Sequence, residues 1–220
     1  MENEKTARRD GLVKYAVYAG LYVLLILIMP KILNNATYQL IMYVLMGIAG
    51  LVLSREDLKE AGRSWKAHPF KNLLLIAGGY ILVQIIDNLL IIPYALIFAE
   101  QGAGLNESNI AYAMQNVNPV LFIIAAGILG PVTEETVFRN ILVSKAGSIF
   151  PKVLMVILSS IAFGMIHMHA FTLSELLYIL QHIGCGVLLA VLLLKQKNIT
   201  LVYAIHILIN LPAVIMMFMR

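Results

Sequence analysis

The run Gly130-Pro131-Val132-Thr133-Glu134-Glu135-Thr136-Val137-Phe138-Arg139-Asn140-Ile141-Leu142-Val143 decides how this chain is read. It sits inside an apolar stretch, residues 119–145, yet it carries two adjacent carboxylates and a guanidinium. A helix of about 20 residues crosses a hydrocarbon core of about 30 Å. An ionisable side chain at the middle of such a helix costs at least about 2.5–3.5 kcal/mol, so it marks a functional candidate by default. The question is whether the rest of the chain really belongs in lipid.

Composition says that it does. Of 220 residues 60% are hydrophobic and only 13% charged, with a mean hydropathy of +0.86. Soluble domains carry about 25% charge, so this chain has little aqueous surface to offer. The pattern predicts an all-α, polytopic transmembrane bundle of about seven spans. They fall near residues 12–29, 38–53, 72–98, 119–145, 153–167, 173–194 and 199–218, the second and fifth being short. Residues 1–118 read as N-terminal helices with their loops and residues 119–220 as a catalytic helical core, together one membrane domain. The charged N-terminus leads straight into the first span, which is read as a retained helix and not a cleaved signal. One cysteine, Cys185, excludes an internal disulfide and a Cys-based zinc site.

Loop charges orient the bundle. With the N-terminus in the cytoplasm, fourteen of the 16 Lys and Arg residues fall on inside segments, leaving Lys31 and Arg220 outside. The positive-inside rule therefore predicts N-in and C-out. The net charge of +4 is spread in these short clusters and is no nucleic-acid signal. Residues 54–71 read as a cytoplasmic loop with a short amphipathic helix, Trp65 and Phe70 serving as interface anchors. Residues 99–118 read as a polar outside loop.

The ionisable residues within the apolar runs are few: Asp87, Glu134, Glu135, Arg139, His167, Glu175, His182 and His206, with Asn210 as a polar companion. Glu135 and Arg139 are four apart, share a helix face and are expected to pair. Glu134 is turned about 100° away, which leaves it a spare carboxylate suited to general acid/base work. Phe163 and His167 are four apart, as are His206 and Asn210. Glu134, His167, His206 and Asn210 thus come from three spans and converge only if those helices pack around one cavity. Against this stands the bland reading, in which each polar group is an interhelical clasp. Glu175 and His182, seven apart, read as a polar stripe on the sixth span with Tyr178 and Gln181. Asp87 with Gln84 and Asn88 reads as a structural cluster.

These three elements resemble the motifs of the CAAX-protease and bacteriocin-processing (Abi) family of intramembrane endopeptidases, related to the type II CAAX prenyl endopeptidase. The family pattern is EExxxR, then FxxxH, then HxxxN, and here it reads Glu134-Glu135…Arg139, Phe163…His167 and His206…Asn210. The resemblance covers roughly residues 119–215. It implies that Glu134 activates the attacking water, that His167 shares that water or its proton, and that His206 and Asn210 stabilise the oxyanion. It makes Glu135, Arg139 and Phe163 supporting residues. A metal-free reaction is favoured. The alternative is a zinc ion on Glu134, His167 and His206, since two His and one carboxylate form a known catalytic set; no HExxH supports it.

The expected substrate is a peptide or protein precursor presented at the bilayer, and the expected location is a bacterial cytoplasmic membrane. The competing reading is a non-catalytic member of the family, a bacteriocin self-immunity factor or a modulator of a sensor. A transporter finds no support, because no repeated half is present.

Overall fold

The computed structural model describes residues 2–98, 105–146 and 149–219. Arg220 and residues 99–104 of the expected outside loop lie outside the described residues. The described chain is helical, with no strand among these residues. Six helices are long and apolar enough to cross a membrane: α1 (Gly11–Leu33), α2 (Ala36–Leu53), α4 (Pro69–Phe98), α6 (Pro119–Lys145), α8 (Leu173–Gln196) and α9 (Ile199–Phe218). Three further helices complete the set, α3 (Arg55–Ala67), α5 (Leu105–Gln115) and α7 (Lys152–Ile166).

The fifth expected span, near residues 153–167, is α7. It has 15 residues, about 22 Å of helix at 1.5 Å per residue, so it falls short of the hydrocarbon core. The expected outside loop also differs, because α5 lies within it. Ile110, Ala113 and Met114 recur at helical spacing and pack on Leu40, Phe122 and Val214, which gives that stretch an apolar stripe worth burying.

Helix ends follow local chemistry. Asn35 opens α2 by accepting from the Tyr38 amide at 2.9 Å. Asn118 opens α6 by accepting from Val120 and Leu121. Asn198 opens α9 by accepting from Thr200. Each cap satisfies amides that the first turn leaves unpaired. The amphipathic helix expected in residues 54–71 is α3, which docks on the bundle. Its Asp57 meets Lys145 at 2.6 Å and accepts from Asn140 at 3.0 Å, and Trp65 donates to Thr200 Oγ1 at 2.8 Å.

α6 is the central helix. In its most apolar 18-residue window 61% of residues are buried, against 11% for α4 and 39% for α8. Tyr18, Tyr22 and Ile26 of α1 and Met46 of α2 pack against Val137, Phe138 and Ile141 of α6 and Phe163 of α7. Val83 of α4, Leu189 and Leu193 of α8 and Val202 and Ile205 of α9 form a second cluster against Val132. The outer faces carry exposed Leu, Ile and Val, as lipid-facing surfaces do. The protein is an integral membrane protein built as a helical bundle.

Candidate active site

The two glutamates lie on a six-residue α-helical segment, Gly130–Glu135, between two π-helical stretches, Ile123–Leu129 and Thr136–Lys145. π-turns are rare and occur often at functional sites. Pro131 stands at the start of the α segment, where its missing N–H costs least. Thr133 and Thr136 turn their hydroxyls back to the carbonyls of Leu129 and Val132 at 2.8 and 2.7 Å. The Thr136 hydroxyl also meets Tyr203 at 2.8 Å, and this ties the segment to α9.

Glu135 and Arg139 pair as their spacing predicts, at 3.1 Å with both side chains fully buried. The guanidinium lies over the Phe163 ring, 4.1 Å from its centroid. None of its nitrogens has a well-aligned hydrogen bond among the described residues, so charge attraction and the ring face hold it. Glu135 takes a further partner that spacing could not reveal. His206 Nδ1 sits 2.8 Å from Glu135 Oε1. A carboxylate on Nδ1 fixes that nitrogen as a donor and turns Nε2 outward.

Nε2 faces the other glutamate, 3.7 Å from Glu134 Oε2. Glu134 and His206, separated by 72 residues, therefore meet across α6 and α9. Glu134 is 7% exposed and His206 4%, so the pair is buried. Tyr43 of α2 donates to Glu134 Oε1 at 3.3 Å. Sequence reasoning missed Tyr43, because it lies in the half of the chain without a motif.

His167 follows the last residue of α7 and closes that helix through its own N–H. Its ring is edge-on to Phe163 at 5.1 Å, and Phe163 is edge-on to His206 at 5.7 Å. One aromatic ring thus touches both imidazoles. His169 lies in the turn beyond, its N–H bonded to Glu175 Oε2 at 3.1 Å. Asn210 is one turn past His206. Its amide donates to the Ala126 carbonyl at 3.4 Å, on the π-helical stretch that precedes the glutamates. No hydrogen bond joins it to the other three candidates among the described residues.

The polar stripe expected on α8 is split. The helix breaks at Ile179 between Leu173–Tyr178 and Leu180–Gln196. Glu175 binds backbone amides of His169 and Leu105, whereas His182 stacks on His167 at 4.2 Å. On α4, Asn88 donates to the Gln84 carbonyl at 2.6 Å, as a structural cluster would.

Zinc would need Glu134, His167 and His206 to converge. Among the described residues no three His, Cys, Asp or Glu side chains do so. Phe163 is in ring contact with both His167 and His206.

Residues 116–212 match the family model described as type II CAAX prenyl endopeptidase Rce1-like. Through this segment the chain is similar to that family. The match runs from the residues just before α6 to just past Asn210, and so contains all three motifs. No curated protein and no solved structure gave a match. The family is one of intramembrane proteases, and α1 to α4, with Tyr43, lie outside the matched segment.

Proposed function

We propose that this protein is an intramembrane endopeptidase that hydrolyses a peptide bond with a water activated by Glu134. The observation that carries the reading is the contrast between two neighbouring carboxylates. Glu135 is paired with the Arg139 guanidinium at 3.1 Å and meets His206 Nδ1 at 2.8 Å, while Glu134 has only a tyrosine hydroxyl at 3.3 Å and an imidazole nitrogen at 3.7 Å. A buried carboxylate without a cation of its own is costly unless it has a task.

In this reaction Glu134 takes a proton from water, and the resulting hydroxide attacks the scissile carbonyl. The oxyanion forms beside His206 Nε2. Because Nδ1 is committed to Glu135 at 2.8 Å, Nε2 donates only when it also carries a proton. The Asn210 amide is the second donor and leaves the Ala126 carbonyl to reach the oxyanion. Each such donor is worth about 2.7–4 kcal/mol of barrier. Glu134 then passes its proton to the departing amine as the C–N bond breaks. His167 is assigned the sharing of that proton, which requires it to move toward Glu134 during the reaction. The reaction is proposed without a metal.

The substrate is a peptide or protein precursor with a cleavable segment held at the membrane. The chain is proposed to lie N-in, C-out in a bacterial cytoplasmic membrane. Comparative peptidomics of cells carrying wild type and Glu134→Gln tests this. The expected result is a set of cleavage products present only with wild type. If both cells yield the same peptides and the variant still performs the biological role at normal expression, a non-catalytic immunity or sensor-modulating function replaces the peptidase.

A further inference from the structure

We propose that His182 is a positioning residue for His167, holding the plane of its imidazole from one face; this rests on the peptidase reading above. His182 belongs to none of the three motifs. Its ring lies nearly parallel to that of His167, with centroids 4.2 Å apart and planes 22° apart. Phe163 meets His167 edge-on at 76°. A flat neighbour on the face and an edge at the side leave the His167 ring little freedom to turn about χ2, a torsion that is otherwise broad.

Among the described residues no hydrogen bond reaches a ring nitrogen of His167, and its Nε2 is buried and unpartnered. His206 differs, because Glu135 anchors its Nδ1. His167 needs a stated orientation to aim a nitrogen at water or substrate, and among the described residues the His182 face, together with the Phe163 edge, supplies it.

The backbone is built for this contact. α7 and α8 approach closely through two glycines. A Cβ on Gly186 would lie 3.1 Å from the Ser160 Cα, and a Cβ on Gly164 would lie 2.5 Å from Ile183 Cγ1. The second is closer than real Cβ contacts come, and the first is tighter than most of them. Ile183 directly follows His182, so the contact that requires glycine at 164 also delivers His182 to His167. The break at Ile179 sets the register of this segment apart from Glu175, which holds the adjacent turn through the His169 amide. His182 thus holds the ring of His167, and Glu175 holds the backbone two residues further on, at His169.

The test uses the full chain in lipid nanodiscs and a library of internally quenched peptides, with His182→Ala, His182→Phe and, as a packing control elsewhere on α8, Leu189→Ala. His182→Ala should lower kcat by ~10–100-fold with KM within about twofold, the size expected for a misplaced reacting group. His182→Phe keeps a flat ring and should restore kcat to within about threefold of wild type. Leu189→Ala should lose stability without a comparable loss of kcat. In parallel, NMR of ¹⁵N-histidine protein, with His167 assigned by its absence in His167→Gln, should give one set of ring signals in wild type and His182→Phe and several in His182→Ala. The proposal is overturned if His182→Phe is no better than His182→Ala, if Leu189→Ala loses as much kcat, or if the His167 signals are single in all three proteins. If wild type cleaves no peptide while Glu134→Gln is equally silent, the peptidase reading has failed, and the NMR result alone decides whether His182 holds the ring.

Discussion

Of the two imidazoles that touch the Phe163 ring, His206 is tied through Nδ1 to Glu135, and Glu135 to Arg139, by contacts of 2.8 and 3.1 Å. His167, among the described residues, is held by rings, Phe163 at its edge and His182 on its face. The first arrangement is directional. It fixes which nitrogen carries a proton, and it depends on charges that would each be expensive alone in lipid. The second is set by shape. It fixes a plane and leaves the ring nitrogens uncommitted. A site that must both stabilise an anion and handle a proton has use for both, and the bundle places both against a single aromatic ring.

The comparison breaks most severely at Arg139. Arg139→Ala leaves Glu135 buried beside His206 without its cation, and a loss of about 3–5 kcal/mol is expected, read as resistance to unfolding in mixed detergent. Next is His206→Ala, which should leave the fold intact and cut kcat by ~10²–10³-fold, as removal of an oxyanion donor does; single-turnover kinetics separate this from weaker binding. Phe163→Leu touches both sides at once. It removes the edge contacts to two imidazoles and the face under Arg139, and a cost of about 1–2 kcal/mol is expected, again by unfolding. The smallest effect belongs to Asp57→Asn. Asp57 and Lys145 are each about one quarter exposed, with side-chain accessibilities of 26%, so the loss should stay under about 1 kcal/mol with activity unchanged. A large loss of activity there would mean that α3 is coupled to the site.

The sequence makes the directional side easier to read than the packed one. Glu135 and Arg139 are four residues apart on one helix, and such a pair is visible without knowing any neighbour. That Glu134 and His206 would meet required a fold, and motif order supplied the only hint. His182 and Tyr43 were beyond reach for a physical reason. In a span surrounded by lipid, apolar residues occupy both the outer face and the packed face, so hydropathy does not tell how a helix is rotated. The short α7 and the π-helical stretches of α6 were hidden for a related reason, since apolar content marks a helix but not its pitch or its neighbours. The helix in residues 105–115 was overlooked because its polar residues outweighed the Ile110, Ala113 and Met114 stripe. Amphipathic α3 was legible because there polar and apolar residues do segregate.

The central claim is that Glu134, and not Glu135, is the base. Purified wild type, Glu134→Gln and Glu134→Asp in nanodiscs, supplied with the same internally quenched peptide library, test it directly. Wild type should cleave, Glu134→Asp should retain a small fraction of the rate, and Glu134→Gln should fall by ~10²–10⁴-fold, the range for loss of a general base, while remaining as stable as wild type. A folded Glu134→Gln protein that cleaves at the wild-type rate would contradict the account.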